Sequence, residues 1–228
     1  MSTALTTQNS ERLTLARPLF ARDVALAVTN PLDTQPDPFA AELVGLSSNA
    51  VDKRRREFSA GRAAAHAAMK DLGWQPQPVL VGKNRAPVWP TGLTGSITHT
   101  RSCAMAVVAR NDTVRALGID VEEDTPLSDD LLPAICSDFE RAWLRAQANS
   151  GQLAKVIFSA KEAAYKCQYT LSQRFFGFDG MELELDLAQG HFQAHFTAEQ
   201  PPFARGTVID GCFAIGVGVI VTTAELRN

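Results

Sequence analysis

Three short segments carry side chains whose types and spacing could do chemistry. Asp120 and Glu122 stand two residues apart in Leu117-Gly-Ile-Asp-Val-Glu122, so on a strand both carboxylates project from one face. Adjacent carboxylates repel unless they are well solvated or share a cation. An isolated Asp-x-Glu also occurs on solvated strand ends, but the apolar Leu117-Gly118-Ile119 places this one at the edge of a core. Oxygen ligands with room for water and phosphate suit magnesium better than zinc. Glu162 and Lys166 are four apart on a helical pattern, the spacing of an ordinary surface ion pair. Phe158 and Tyr165 flank them, which is unusual for a solvated face. The third segment is Gly95-Ser-Ile-Thr-His-Thr100. A lone histidine commonly fills a core or surface position, whereas a hydroxyl beside an imidazole, as in Thr98-His99, can cradle phosphate. No locally paired Asp or second His points to a nucleophilic triad. His191 and His195 alternate on the polar side of a late strand and read as solvent-facing.

The elements that must position these groups are legible from periodicity. A helix is predicted from about residue 48 to 72, ended by Gly73, with Phe58, Ala65, Met69 and Leu72 on one stripe. Arg55 and Arg62 share that stripe; either their stems snorkel from its edge or their guanidinium forks reach a phosphate. Residues 30–38 read as a surface loop, and 74–95 as irregular connections around a strand at 79–81. Strands are predicted at 104–109 and 114–121, joined through Arg110–Thr113 as a hairpin. Ser137 and Glu140 form a capping-box signature for a helix that stops near Gly151. The next helix, 153–171, carries Glu162 and Lys166 away from its apolar face. Met181, Leu183, Leu185 and Leu187 alternate with acidic residues in a strand, Gly190 turns into a partner bearing Phe192 and Phe196, and a last strand spans 213–221. This order predicts an α+β chain. A loose echo between 103–109 and 212–218 hints at two similar halves.

Composition narrows the classes. The 228 residues allow one large or two small domains, and 45% hydrophobic content supplies a core. A net charge of -3 argues against a nucleic-acid binder, although Lys53-Arg-Arg-Arg56 remains available for a smaller anion. The four scattered cysteines, without a CxxC pair, argue for free buried thiols rather than zinc or disulfides. The segment from Met1 to Arg22 lacks the apolar run of a signal peptide, and no window reaches the length of a membrane span. A cytoplasmic protein is expected.

Taken in order, Arg55–Ala65, Pro87–Pro90, Gly95–His99, Gly118–Glu122 and Phe158–Lys166 resemble the 4'-phosphopantetheinyl transferases that prime nonribosomal peptide, polyketide and siderophore synthases, the enterobactin-synthase component being the nearest subgroup. The resemblance implies an α+β fold of two similar pseudo-twofold-related halves, 1–116 and 117–228, with coenzyme A in the cleft between them. It implies that Asp120, Glu122 and Glu162 hold Mg2+, with Asp120, Glu162 and Lys166 serving catalysis and Lys166 also touching the phosphates of coenzyme A. His99 and Arg62 would take the 3'-phosphate. Thr98 would keep the phosphate contact of a family serine, with Arg85 less secure because the spacing before Pro87 differs, and Arg55 as an additional contact.

The implied reaction is Mg2+-dependent transfer of 4'-phosphopantetheine from coenzyme A to a serine of an apo acyl, peptidyl or aryl carrier protein, releasing 3',5'-ADP. Lys166 would support the leaving oxygen, and Glu162 or a metal-held water would accept the serine proton. A magnesium phosphohydrolase using the same carboxylates and a non-catalytic carrier- or coenzyme A-binding module are the alternatives. A basic rim around Arg141 and Arg145 is a candidate carrier surface. The chain is expected to act as a monomer, without a nucleic-acid partner or membrane span.

Overall fold

A computed structural model describes residues 2–228 and side chains from Thr7 onward; Met1, where the segment read as no signal peptide begins, lies outside the described residues. The chain forms α1 (Ser2–Ala16), β1 (Ala25–Thr29), α2 (Ala40–Leu43), α3 (Asp52–Asp71), β2 (Leu80–Val81), β3 (Pro87–Val88), β4 (Leu93–His99), β5 (Ala104–Arg110) and β6 (Val114–Glu123). It continues through α4 (Leu132–Ile135), α5 (Asp138–Leu144), α6 (Ser150–Ser172), β7 (Met181–Asp186), β8 (His191–Phe196), β9 (Val208–Gly216) and β10 (Val219–Arg227). The architecture is α+β. Its strands pair antiparallel in a three-stranded sheet ordered β1-β5-β4, a five-stranded sheet ordered β6-β10-β9-β8-β7, and a β2-β3 ribbon.

Each larger sheet carries one long helix. Small residues on α3, Ala64, Ala65 and Ala68, pack with Met69 against Ala27, Leu93, Ala106 and Val108. The apolar face expected on α6, from Leu153 through Ile157, Ala160 and Ala164 to Cys167, packs over Met181, Phe192, Ile209 and Ile220. A third cluster joins the two sheets through Met105, Val107, Leu117, Ile119, Val219 and Val221, closed by Ala16 and Phe20. The polar pattern of residues 2–16 gave no helical signal, yet α1 forms there. Its buried Arg12 donates from Nη1 to Ser102 O (2.7 Å) and from Nε to Val217 O (3.4 Å), gripping the turns after β4 and β9.

Several local expectations are corrected. The strands around Arg110–Thr113 are not a hairpin: β5 pairs with β1 and β4, β6 pairs with β10, and the turn carries the chain between sheets. Ala104 to Ala109 are wholly buried, and such an all-apolar strand needs a neighbour on both sides. One neighbour is β4, which the surrounding Pro and Gly residues had disguised as irregular. The single strand expected at 213–221 is β9 and β10 with a tight turn at Val217 (φ 52°) and Gly218 (φ 71°), both in the left-handed region that suits a two-residue hairpin. The 212–218 segment therefore runs off a strand into a turn, while 103–109 stays extended, and the echo marks no repeat in that register. The helix capped by Ser137 ends at Leu144, and Gly151 falls within the first turn of α6.

Strands β4 and β6 lie side by side without a main-chain ladder. The Ile119 N–H donates to Ser96 Oγ and the Val121 N–H to Thr98 Oγ1, each at 3.2 Å. On the face of β6, Gly118 admits the backbone of α6: a Cβ there would meet Ala163 O at 1.9 Å. This close approach brings the polar side of α6 over the carboxylates of β6.

Candidate active site

Asp120 is buried near the end of β6, and its side-chain partners come from β4 and α6. Its Oδ1 accepts from Lys166 Nζ on α6 (2.6 Å) and from Thr98 Oγ1 on β4 (3.0 Å). Its Oδ2 accepts from Ser159 Oγ on α6 (2.8 Å). Lys166 Nζ also donates to Ile119 O (3.1 Å). Glu122, two residues on, faces Lys155 Nζ at 3.5 Å. Burial and then the charge of Asp120 push the Glu122 carboxyl above its ordinary range, with Lys155 opposing. Glu162, one turn before Lys166, has no hydrogen bond or ion pair among the described residues. Burial pushes its carboxyl up; the charge of Lys166 works against this and that of Asp120 adds to it.

The three carboxylates therefore share one electrostatic neighbourhood, but they do not form a closed ligand cage. Among the described residues, no group of three His, Cys, Asp or Glu side chains stands close enough to hold a metal ion. Ammonium groups occupy the places a cation would neutralise, Lys166 on Asp120 and Lys155 on Glu122. The donor set fits a hard divalent cation: it is all carboxylate oxygen, and Glu122 and Glu162 are desolvated beside the charge of Asp120.

A hollow of about 510 Å³ opens beside α3, lined by Arg54, Glu57, Phe58, Arg62, Arg85 and His99 among others. Arg62 is only 7% exposed, lies over the Phe58 ring (4.6 Å) and keeps a buried Nε without a hydrogen-bond partner. Behind it, the wholly buried Glu42 on α2 accepts from Val79 N–H (2.8 Å), Phe39 N–H (2.8 Å) and His66 Nε2 (2.9 Å), with Arg62 Nε at 3.7 Å. Arg54 Nη1 donates to His99 Nε2 (3.0 Å); since guanidinium cannot accept, this assigns the imidazole proton to Nδ1, which faces Glu57 at 3.9 Å. Burial holds the His99 imidazole below its ordinary value, with Glu57 opposing and Arg54 reinforcing the shift. A second hollow of about 280 Å³, lined by Glu162, Tyr165, Lys166 and Tyr169, shares Arg85, Pro87 and Ile97 with the first. Arg85, held at φ 63° in a tight turn, thus stands between the two hollows.

The structure brings together Asp120, Glu122, Glu162 and Lys166 on one side and Arg62, Arg85 and His99 on the other. It does not bring Arg55 to either. That side chain turns back to Ala50 O (2.9 Å) and Ser48 O, fastening the start of α3. Its neighbour Arg54 lines the hollow instead. The helical phase offered the signal, since 54, 58 and 62 are spaced by single turns and Arg54 shares a face with Phe58 and Arg62. Thr98 also departs from expectation: its hydroxyl donates to Asp120 and accepts from Val121, so it serves the carboxylate rather than a phosphate. Ser159, Lys155 and Glu42 were not singled out in the sequence. On the candidate rim, Arg141 is tied to Cys136 O (3.0 Å) and Asp138, leaving Arg145 exposed. Lys161, beside Glu162, is buried and donates to Glu140 Oε2 (2.8 Å), Ile135 O (2.8 Å) and Phe178 O (3.0 Å).

Comparison with known proteins gives this geometry a context. A family model described as the 4'-phosphopantetheinyl transferase N-terminal domain matches residues 40–109, and one described as the 4'-phosphopantetheinyl transferase superfamily matches residues 116–212. The chain is 37% identical to 4'-phosphopantetheinyl transferase Svp of Streptomyces mobaraensis, covering 77% of this chain and 73% of that protein. It is 33% identical to 4'-phosphopantetheinyl transferase PptT of Mycobacterium tuberculosis, over 87% and 89% of the two chains. It is 36% identical to enterobactin synthase component D of Salmonella typhi, over 77% and 74%.

Proposed function

This chain belongs to the 4'-phosphopantetheinyl transferase family, and we propose that it catalyses Mg2+-dependent transfer of phosphopantetheine from coenzyme A to a carrier-protein serine, releasing 3',5'-ADP. The observation that carries the reading is the adjacency of the basic hollow to a second one, which it meets at Arg85 and which Glu162 and Lys166 line. The basic one holds Arg54, Arg62 and His99; the second holds Glu162 and Lys166, and Lys166 ties it to Asp120, with Glu122 two residues farther along β6. A molecule with a phosphate at one end and a pyrophosphate farther along matches that layout. In this reading coenzyme A lies between two pseudo-twofold-related halves, divided between residues 116 and 117, near the start of β6.

Asp120, Glu122 and Glu162 would hold Mg2+, which when bound neutralises the pyrophosphate and polarises the phosphorus under attack. Arg62, stacked on Phe58, and His99 would bind the 3'-phosphate, with Arg54 beside them; Arg85 would span to the pyrophosphate. The carrier serine oxygen attacks the β-phosphorus in line, a P–O bond forms, and the P–O bond to the departing 3',5'-ADP breaks. Lys166, fixed by Ile119 O and Asp120, stabilises charge on the leaving oxygen. Glu162, without a hydrogen-bond partner among the described residues, accepts the serine proton.

The relatives named enterobactin synthase component D support carriers of the nonribosomal peptide or siderophore type as partners, with holo-acyl-carrier-protein synthase activity as the enzyme class. A cytoplasmic monomer completes the proposal; no described helix is long and apolar enough to cross a membrane. The test is mass spectrometry of purified apo carriers. A phosphopantetheine mass gained only with this chain, coenzyme A and Mg2+ supports the reading, and release of free phosphate without carrier modification refutes it.

A further inference from the structure

We propose that Ser159 and Thr222 are positioning residues for the carboxylate of Asp120, selecting the one oxygen site through which it can meet a cation; this rests on the Mg2+-dependent reading above. An ionised carboxylate offers roughly four acceptor sites. Lys166 and Thr98 take both on Oδ1, and Ser159 takes one on Oδ2. A single site on Oδ2 stays open. Lys166 is filled in the same way: of its N–H donors, one goes to Ile119 O and one to Asp120 Oδ1, which leaves one for a ligand.

What fixes Oδ2 is a buried hydroxyl relay. Ser159 and Thr222 are both fully buried. Thr222 is the cross-strand partner of Asp120 in the β6–β10 register, and its Oγ1 lies 2.9 Å from Ser159 Oγ. Each hydroxyl has one proton to give. Ser159 spends its proton on the anionic Asp120, so in the 2.9 Å contact Thr222 is the donor, and the relay runs from Thr222 through Ser159 to Asp120. Thr222 can instead donate to Ser159 O (2.8 Å), an acceptor already served within α6. The negative charge on Asp120 favours the first direction, because a hydroxyl that donates to a charged group is polarised and becomes the better acceptor. Without the relay Oδ2 offers two open sites and loses the bond that orients it, so the carboxylate no longer presents one fixed open site.

The test uses the full chain as wild type, Ser159→Ala, Thr222→Val and Thr222→Ser. Calorimetry with Mg2+ and coenzyme A in the absence of carrier reads binding, carrier-transfer assays across Mg2+ concentrations read function, and thermal unfolding reads stability. Ser159→Ala is expected to weaken Mg2+ binding, and to raise the Mg2+ concentration for half-maximal transfer, by about 10- to 100-fold, with KM for coenzyme A within about twofold of wild type. Thr222→Val should shift both in the same direction and Thr222→Ser should restore them. Should Ser159→Ala not fold, the Thr222→Val and Thr222→Ser pair decides alone. An unchanged Mg2+ dependence in the folded variants, even with a lower melting temperature, assigns the hydroxyls to stability only and overturns the proposal. A wild-type chain that transfers phosphopantetheine without Mg2+, or transfers none, overturns the functional reading itself and the proposal with it.

Discussion

Replacing Lys161 with Met should destabilise the fold far more than its place beside Glu162 suggests. The ammonium is 3% exposed and gives its donors to Glu140 Oε2, Ile135 O and Phe178 O. Removing one partner of a buried ion pair costs about 3–5 kcal/mol, because the remaining charge stays desolvated. Glu140 would not be wholly abandoned, since Ser137 N–H and Leu183 N–H each donate to it at 2.7 Å. That places the carboxylate's share at the low end, about 3 kcal/mol. Two carbonyls also lose a donor, and each one left unsatisfied adds about 1–3 kcal/mol. Because the unbranched thioether of Met fills the volume of the lysine stem, packing loss is small, and the total should be about 5 kcal/mol or more. Equilibrium urea unfolding followed by tryptophan fluorescence measures it. Adding Glu140→Gln to Lys161→Met should recover about 1–2 kcal/mol by removing the stranded charge. A loss below about 1 kcal/mol, or a double variant no more stable than the single one, would refute the argument that burial of an unpaired charge dominates.

Three further outcomes follow from the same geometry. Glu162→Gln should lower carrier modification by about 100-fold or more while leaving the unfolding midpoint unchanged; near-normal turnover would remove Glu162 from proton transfer. Gly118→Ala should lower both activity and thermal stability, since its Cβ would meet Ala163 O at 1.9 Å and force α6 away from Asp120; an unaltered Mg2+ dependence at full activity would contradict this. Glu42 supplies a pH dependence. Burial pushes its carboxyl up, but the bonds from His66, Val79 N–H and Phe39 N–H outweigh burial and hold it below its ordinary 4.5. A depressed folded value contributes stability above the unfolded pKa and loses it as pH falls through the folded one. Acid unfolding curves of wild type and Glu42→Gln should therefore differ above about pH 4.5 and converge below it; parallel curves would refute the assignment.

The carboxylate half of the candidate site was legible because its spacing is local. Asp120 and Glu122 share a strand face, and Glu162 and Lys166 share a helix face, so period alone placed each pair correctly. What joins the pairs is not local. Thr222 stands 63 residues from Ser159, and nothing in either neighbourhood signals the contact. The choice of Arg55 over Arg54 came from counting seven residues back from Arg62, when two single turns through Phe58 lead to Arg54. In the fold, β4 escaped because Pro90 and Gly95 resemble punctuation, although Gly95 is a close-approach position whose Cβ would meet Val107 O at 2.4 Å. The false hairpin had the same origin, since a strand without visible neighbours is assigned the next one in sequence.

The junction of β4 and β6 has a dynamic consequence. A main-chain ladder can part only by unravelling a sheet, but here the link is two hydroxyls, Ser96 and Thr98, accepting from Ile119 and Val121. Each sheet keeps its own ladder when those contacts let go. Opening along this line therefore costs the apolar cluster that joins the sheets rather than either ladder, and it leaves two units still paired within themselves. The Ile119 and Val121 amides would exchange with solvent through this partial opening, ahead of the β6 amides that face β10. Thr98 belongs both to that line and to Asp120, so ligand occupancy beside the carboxylate and closure of the junction would be one coupled equilibrium.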